Sequence, residues 1–243
     1  MIDARGVHYN RNKCWGVEES KFVQTKFRPP EQEACPIIYK CIIALSAIVG
    51  ILLQCEIGTS GFSLSSFRMF TTLSNLAVAA FYVVLIALRM SHAALTEAAK
   101  RRVRYFKFLV TMSIMLTGLV AHFMLRGLFV NMDAEAKAGL MLLHYVVPIA
   151  TFFDWVLFDE KGLTEWKMPL FAASFPIIYA AVSMIAAQFM QGANRYPYPF
   201  LDVDTLGAGM VLLNIVLLAI AFLAVGCIGV WVDHKLAKAS NKS

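Results

Sequence analysis

The sequence predicts an all-α membrane protein with six transmembrane helices, on the basis of its composition and the arrangement of its apolar residues. Of 243 residues, 59% are apolar and only 16% are charged. Soluble domains average about 45–50% apolar and about 25% charged residues, so this chain has more apolar side chains than one water-soluble core can bury. The apolar residues also form long blocks that alternate with short charged stretches. These features exclude a disordered chain, a disulfide-stabilised secreted module and a protein whose partner is nucleic acid.

Six segments are long and apolar enough to cross a bilayer, which takes about 20 residues in a helix. A helix satisfies its own backbone hydrogen bonds, as the hydrocarbon core requires. In chain order, the predicted spans are 37–53, 69–88, 106–130, 139–157, 170–188 and 207–232. Residues 1–36 are charged and contain no apolar run, so we expect no cleaved signal peptide.

The distribution of basic residues predicts the orientation of these spans. An even number of spans puts both termini on one side, and that side holds eighteen of the 22 Lys and Arg residues. Cytoplasmic loops collect Lys and Arg, so both termini should be cytoplasmic. The predicted organisation is a cytoplasmic arm over 1–36, a membrane domain over 37–233 and a cytoplasmic tail over 234–243. The net charge of +6 is then explained by orientation and lipid headgroup contact.

The cysteines and carboxylates give no sign of a disulfide framework, a metal site or a cofactor. The five cysteines show no paired spacing. Asp202 and Asp204 are two residues apart, but no further ligands of suitable spacing accompany them. Asp154 lies deeper in its span, where we expect it to pair with a loop cation. We therefore predict no metal and no cofactor.

Several polar residues lie inside or beside the predicted spans, where such groups cost several kcal/mol and usually face the bundle interior. The predicted topology places them in one shallow layer on the outer side, with His144 about 7–8 Å deep at 1.5 Å per residue. They are Thr71, Thr72, Ser74, Asn75, His122, Arg126, His144, Asp202 and Asp204. This convergence in depth predicts a functional site at the outer leaflet.

Helical spacing predicts which of these side chains share a face. Residues three or four apart lie above one another on a helix. The sets that meet this rule are Gly118–His122–Arg126, His144–Pro148–Thr151 and Thr72–Asn75–Ala79. Since lipid offers no hydrogen-bond partner, these faces should point inward together.

Each candidate also has a structural explanation. Imidazole is the side chain best suited to proton transfer near neutral pH, but His144 could equally bridge two helices as a neutral ring. Threonines in membrane helices commonly bond their own backbone or tighten packing. His122 is open to either role, and Arg126 can extend to interfacial water or bind a headgroup. The stretch 196–207 before the last span, here called the aromatic loop, has two interpretations. It is either an interfacial belt of aromatic residues in which Asp204 or Thr205 caps the following helix, or a lid whose carboxylate orients a histidine or an arginine.

Three motifs carry a resemblance to known proteins. They are Phe70-Thr-Thr-Leu-Ser-Asn-Leu76, His144-Tyr-Val-Val-Pro148 followed by Asp154, and Tyr198-Pro-Phe-Leu-Asp202. Together they resemble bacterial six-span membrane proteins and, more distantly, the animal androgen-induced and androgen-dependent TFPI-regulating proteins. Those animal proteins are intramembrane threonine hydrolases that cleave fatty acid esters of hydroxy fatty acids with one threonine and one histidine.

The resemblance implies the same fold and a matching pair of catalytic residues. The histidine corresponds to His144. The threonine corresponds to Thr72, three residues before Asn75, whereas the bacterial pattern Phe-Thr-x-x-Ser-Asn selects Thr71. Both threonines therefore remain candidates for the nucleophile.

Two functions fit these residues. In an intramembrane lipid esterase, Thr72 or Thr71 attacks an ester with His144 as general base, and Asn75, Ser74 or backbone amides bind the oxyanion. Arg126 would bind a substrate carboxylate. In the alternative, a lipid-binding protein or carrier of a small anionic solute uses the same polar layer without chemistry, and a scaffold that has lost activity is a third possibility. The expected location is the inner membrane if the source is bacterial.

Overall fold

The computed structural model describes residues 30–55, 64–92, 94–125, 127, 132–192 and 195–240, and the side chains of 30–34, 64 and 240 are not described. Within these residues, six helices are long and apolar enough to cross a membrane. They cover Cys35–Gln54, Phe70–Met90, Glu97–Leu125, Ala134–Phe158, Met168–Ala187 and Ala208–Ala239. The predicted all-α, six-span fold is confirmed. The cytoplasmic placement of the termini stays a prediction.

The described residues form eight α-helices, of which all but the short α7 belong to the spans, together with short 3-10 and π segments. A 3-10 turn at Leu64–Arg68 precedes α2, π segments at Ala121–Leu125 and Leu142–Val146 follow α3 and α4, and a 3-10 turn at Pro199–Leu201 precedes α7. The α-helices are α1 Pro30–Gln54, α2 Phe70–Met90, α3 Glu97–Val120, α4 Ala134–Met141, α5 Val147–Phe158, α6 Met168–Ala187, α7 Val203–Leu206 and α8 Ala208–Ser240.

Two spans begin earlier than their apolar content predicts, because side-chain caps extend them. The Thr96 side chain accepts a hydrogen bond from the Ala99 amide at 3.2 Å, which starts α3 nine residues before its apolar stretch. The Asp133 carboxylate accepts from the Ala136 amide at 2.7 Å and starts α4. Capped polar turns therefore continue both helices beyond their hydrophobic parts.

The core of the bundle lies where α1, α2, α3 and α5 meet. Ile43, Val78, Ile114 and Val147 are fully buried there. The helices α6 and α8 pack beside this core on the α3 side, where Phe108, Met168 and Phe222 form a second cluster. Large apolar side chains elsewhere on α8 are exposed, as expected for a helix that faces lipid.

The end of the bundle opposite the start of α2 is held by buried charges. The Asp154 carboxylate of α5 is fully buried and contacts Lys40 Nζ at 2.6 Å and Lys107 Nζ at 2.5 Å. Tyr82 donates to the same carboxylate at 2.9 Å, and Lys107 also pairs with Asp159. The cations come from α1 and α3, so the expectation of a loop cation was wrong. The network joins four helices.

Candidate active site

Thr71 and His144 meet at the opposite end of the bundle. Thr71 is the second residue of α2, and His144 lies on the π segment Leu142–Val146. Thr71 Oγ1 lies 3.1 Å from His144 Nε2, although the two residues are 73 positions apart. Both residues are buried, each with 7% of its surface exposed. A hydroxyl and an imidazole nitrogen therefore form a hydrogen bond away from bulk water.

The backbone fixes the protonation of the His144 ring. Its Nδ1 lies 3.1 Å from the Leu140 carbonyl oxygen, one turn earlier. A carbonyl only accepts, so Nδ1 carries the proton and Nε2 of the neutral ring accepts the hydrogen bond from the Thr71 hydroxyl. This tautomer is assigned from the hydrogen-bond network. It is the arrangement in which an imidazole can remove a proton from a hydroxyl nucleophile.

Tyr198 is a third member of the site. Its hydroxyl oxygen lies 3.4 Å from Thr71 Oγ1 and accepts a hydrogen bond from the Thr71 amide at 3.3 Å. Its ring stacks on Phe200 with centroids 5.0 Å apart. Burial raises the pKa of Tyr198, so the phenol stays protonated. No chemical role is predicted for Tyr198 from the sequence, in which its only signals are its place in the aromatic loop and in the third resemblance motif.

Ser74 and Asn75 bond to the backbone around this pair. Asn75 Nδ2 donates to the Thr71 carbonyl at 2.8 Å and to the Leu143 carbonyl at 3.2 Å. The Ser74 hydroxyl contacts the Thr71 carbonyl at 3.1 Å and Thr117 Oγ1 at 2.8 Å. Both amide hydrogens of Asn75 are thus used in joining α2 to the segment that carries His144. This side chain positions the pair instead of facing a reacting atom.

Thr72 does not reach His144. Its hydroxyl is fully buried and has no hydrogen-bond partner among the described residues. Successive residues on an α-helix are rotated by about 100°, so Thr71 and Thr72 point in different directions. Of the two threonines that the sequence left open, Thr71 is the one within hydrogen-bonding distance of the imidazole.

The remaining predicted residues lie apart from this contact or outside the described residues. His122 is exposed, and its Nδ1 lies 3.4 Å from the Tyr145 hydroxyl. Arg126 is outside the described residues. Asp204 forms an ion pair at 2.7 Å with Arg195, the residue just before the aromatic loop. A loop carboxylate therefore binds an arginine, but His144 is oriented by a backbone carbonyl.

Asp202 caps the short helix α7. Its carboxylate accepts from the Thr205 amide at 3.1 Å and from the Thr205 hydroxyl at 2.7 Å. These bonds hold the pKa of Asp202 below its usual range. Asp202 thus caps α7, which precedes the last span, while Asp204 pairs with Arg195 and the Thr205 hydroxyl donates to Asp202. A cap of the last span by Asp204 or Thr205 stays a prediction.

A cavity of about 90 Å³, the first cavity, borders Thr71. Its wall is built by α2, α3, α6, α8 and the aromatic loop, and polar side chains enter it at Thr71, Thr117, Tyr179 and Tyr198. Thr117 bonds Ser74 and its own helix backbone, and Tyr179 donates to a carbonyl at 2.8 Å. The rest of the wall is apolar, so an apolar ligand fits it with a polar group at Thr71.

Fold and site together define a six-helix membrane protein in which a buried Thr–His pair and the partly buried Tyr198 meet at one end of the bundle. In the part of the chain that the structure describes, no three His, Cys, Asp or Glu side chains are grouped to hold a metal ion. Comparison with protein-family models, curated proteins and solved structures finds no match to this chain.

Proposed function

We propose that the protein is an intramembrane lipid esterase with Thr71 as nucleophile and His144 as general base. The observation that carries this proposal is the 3.1 Å contact between Thr71 Oγ1 and His144 Nε2, with the opposite ring nitrogen held by a carbonyl. The first cavity beside Thr71 supports an apolar substrate. Fatty acyl esters, such as fatty acid esters of hydroxy fatty acids, combine an apolar chain with one reactive carbonyl.

The first half of the reaction transfers the acyl group to the protein. Thr71 Oγ attacks the ester carbonyl carbon while its proton passes to His144 Nε2. The C–O bond to the leaving alcohol then breaks, and His144 returns the proton to that alcohol. The Leu140 carbonyl accepts from Nδ1–H throughout and stabilises the imidazolium between the two proton transfers.

The second half regenerates the enzyme. A water molecule attacks the acyl-threonine carbonyl and gives a proton to His144. The bond between Thr71 Oγ and the acyl carbon breaks, Thr71 recovers its proton, and the fatty acid leaves. Thr71 is the second residue of its helix, about 1.5 Å along the axis from the first at 1.5 Å per residue, so water has a short route to it.

Tyr198 is the side chain best placed to bind the oxyanion of both tetrahedral intermediates. Its protonated hydroxyl already lies 3.4 Å from the nucleophilic oxygen. The N-terminal end of α2 adds a favourable helix dipole at the same place. One hydrogen-bond donor to the oxyanion is typically worth about 3–4 kcal/mol in the transition state.

The decisive experiment measures hydrolysis of a fatty acyl ester by purified protein. Thr71→Ala and His144→Ala should each lower kcat by about 10²–10⁴-fold, the usual contribution of a general base and its nucleophile. Thr71→Ser keeps a hydroxyl and should retain part of the activity. Thr72→Ala separates the two threonines, because it should hydrolyse the ester at the wild-type rate.

Covalent labelling distinguishes this enzyme from the second candidate, a lipid-binding protein without turnover, which the apolar wall of the first cavity also favours. A fluorophosphonate should modify Thr71, found by mass spectrometry of digested protein, and should fail to modify His144→Ala. Wild-type rates in both alanine variants would refute the esterase. Saturable binding of an ester without adduct or turnover would support the lipid-binding protein. We also propose a cellular inner membrane as its location if the source is bacterial.

A further inference from the structure

A second cavity, of about 270 Å³, adjoins the first one. The two cavities share Leu116 and Val120 of α3 with Leu218 and Phe222 of α8. The second cavity is also bordered by Phe123, which is 76% exposed. The two cavities therefore form an apolar path from Thr71, between α3 and α8, to the outside of the bundle, with the four shared side chains lying where they meet.

α8 is held to the rest of the bundle on either side of the stretch that borders the two cavities. Near its start, Asn214 Nδ2 donates to the Phe200 carbonyl at 3.0 Å. Further along, Gly226 packs against Pro169 so closely that an added Cβ would lie 2.9 Å from the proline Cβ. Both cavities face the stretch of α8 between these anchors. The separation of α3 from α8 is thus part of the packing.

The polarity of the residues that line the path indicates which kind of molecule it can bind. The residues around the second cavity are all apolar. In the first cavity, Thr117 and Tyr179 already bond to other protein groups, which leaves the polar contacts of a ligand to Thr71 and Tyr198. A hydrocarbon chain with one polar group at its end matches this distribution. Since the opening faces lipid, such a chain enters without crossing water.

We propose that the gap between α3 and α8 is a lateral entrance for the acyl chain of a bilayer lipid. The chain lies along both cavities and brings its ester carbonyl to Thr71. This inference rests on the proposed function and adds the route and the binding site of the substrate chain. The protein therefore takes its substrate from the bilayer, and long chains gain binding energy that short chains cannot.

Two tryptophan variants of α8 test the entrance. Ala221 borders the second cavity, whereas Ala224 is exposed on the same helix and borders neither cavity. Rates are measured with 4-nitrophenyl palmitate and 4-nitrophenyl acetate, which share one leaving group. Ala221→Trp should lower kcat/KM for the palmitate by about tenfold or more, because the bulky ring removes burial of several CH₂ groups. It should leave the acetate within about twofold, and Ala224→Trp should leave both esters within that range. An unchanged palmitate rate in Ala221→Trp would overturn the entrance while leaving the esterase intact.

A labelling experiment tests the entrance without turnover. Palmitate with a terminal diazirine is irradiated with the protein in lipid nanodiscs, and labelled peptides are identified by mass spectrometry. Label should fall on residues 116–125 and 215–225 and decrease in Ala221→Trp but not in Ala224→Trp. If wild type hydrolyses neither ester, the proposed function fails and this labelling alone decides the entrance. Label confined to other segments, or a crosslink between two copies of the chain across the gap, would refute it.

Discussion

Replacing Tyr198 with phenylalanine removes the phenol oxygen beside Thr71 and keeps the ring. The ring stacks on Phe200 with an angle of 6° between the planes, and that contact does not need the oxygen. The substitution therefore opens little space. Its effect comes from two lost contacts, at 3.4 Å to Thr71 Oγ1 and at 3.3 Å to the Thr71 amide.

The two lost contacts predict effects of different size on catalysis and stability. Without an oxyanion donor, kcat should fall by about 10²–10³-fold, which corresponds to about 3–4 kcal/mol. The Thr71 amide loses its acceptor, and an unpaired buried donor costs about 1–3 kcal/mol of folding free energy. A modest fall in the thermal midpoint should thus accompany a large fall in kcat.

The assay compares kcat and KM for a fatty acyl ester in Tyr198→Phe and Tyr179→Phe. Tyr179 also borders the first cavity, but its hydroxyl donates to the Arg68 carbonyl at 2.8 Å, away from the Thr71 hydroxyl. Tyr179→Phe should change stability with little change in kcat. A kcat for Tyr198→Phe equal to that of wild type would refute its role as oxyanion donor.

Three further substitutions test the packing beside His144, the buried ion pairs and the cap of α7. Gly118→Ala should lower hydrolysis by about tenfold, because its Cβ would lie 3.0 Å from the His144 carbonyl oxygen and small displacements of catalytic groups are costly. Gly209→Ala, where an added Cβ meets nothing within 4 Å, is the control, and equal losses in both would contradict this reasoning. Asp154→Ala removes the ion pairs with Lys40 and Lys107 and leaves Lys107 paired with Asp159 alone. It should cost about 3–5 kcal/mol of stability in thermal unfolding, so an unchanged midpoint would show the two lost ion pairs to be unimportant. Because the pKa of Asp202 is lowered in the folded protein, its charged form stabilises the fold above the unfolded pKa of about 4. This contribution is lost as pH falls through the folded pKa. The difference in thermal midpoint between wild type and Asp202→Ala should therefore shrink below about pH 4.

The six-span architecture could be predicted because it depends on the order of apolar and polar residues along the chain. Apolar blocks of bilayer length predict the spans, and polar residues within them predict a shared layer. Thr71 and His144 come from two different spans and still meet. Depth along a helix follows directly from residue number, so this part of the site needed no knowledge of packing.

The direction in which each side chain points around its helix was harder to predict, because it depends on local backbone geometry. The spacing of Gly118 and His122 assumes a regular α-helix, but a π segment begins at Ala121. A π turn closes at the fifth residue, so a spacing of four no longer returns to the same face. Gly118 packs on the segment that carries His144, whereas His122 is exposed.

Both threonines come so early in α2 that the usual backbone partner lies before the helix, at Phe67 for Thr71 and at Arg68 for Thr72, so the direction of each side chain decides between them. A threonine within a membrane helix commonly bonds the carbonyl four residues earlier, as Thr117 does with Ser113 at 3.2 Å. For Thr71 that carbonyl would belong to Phe67, which lies before α2 in the 3-10 turn Leu64–Arg68. The hydroxyl of Thr71 instead lies against the imidazole and the phenol. A threonine in the first turn of a helix can therefore serve chemistry that the same residue two turns later would not, because it has left its usual backbone partner outside the helix.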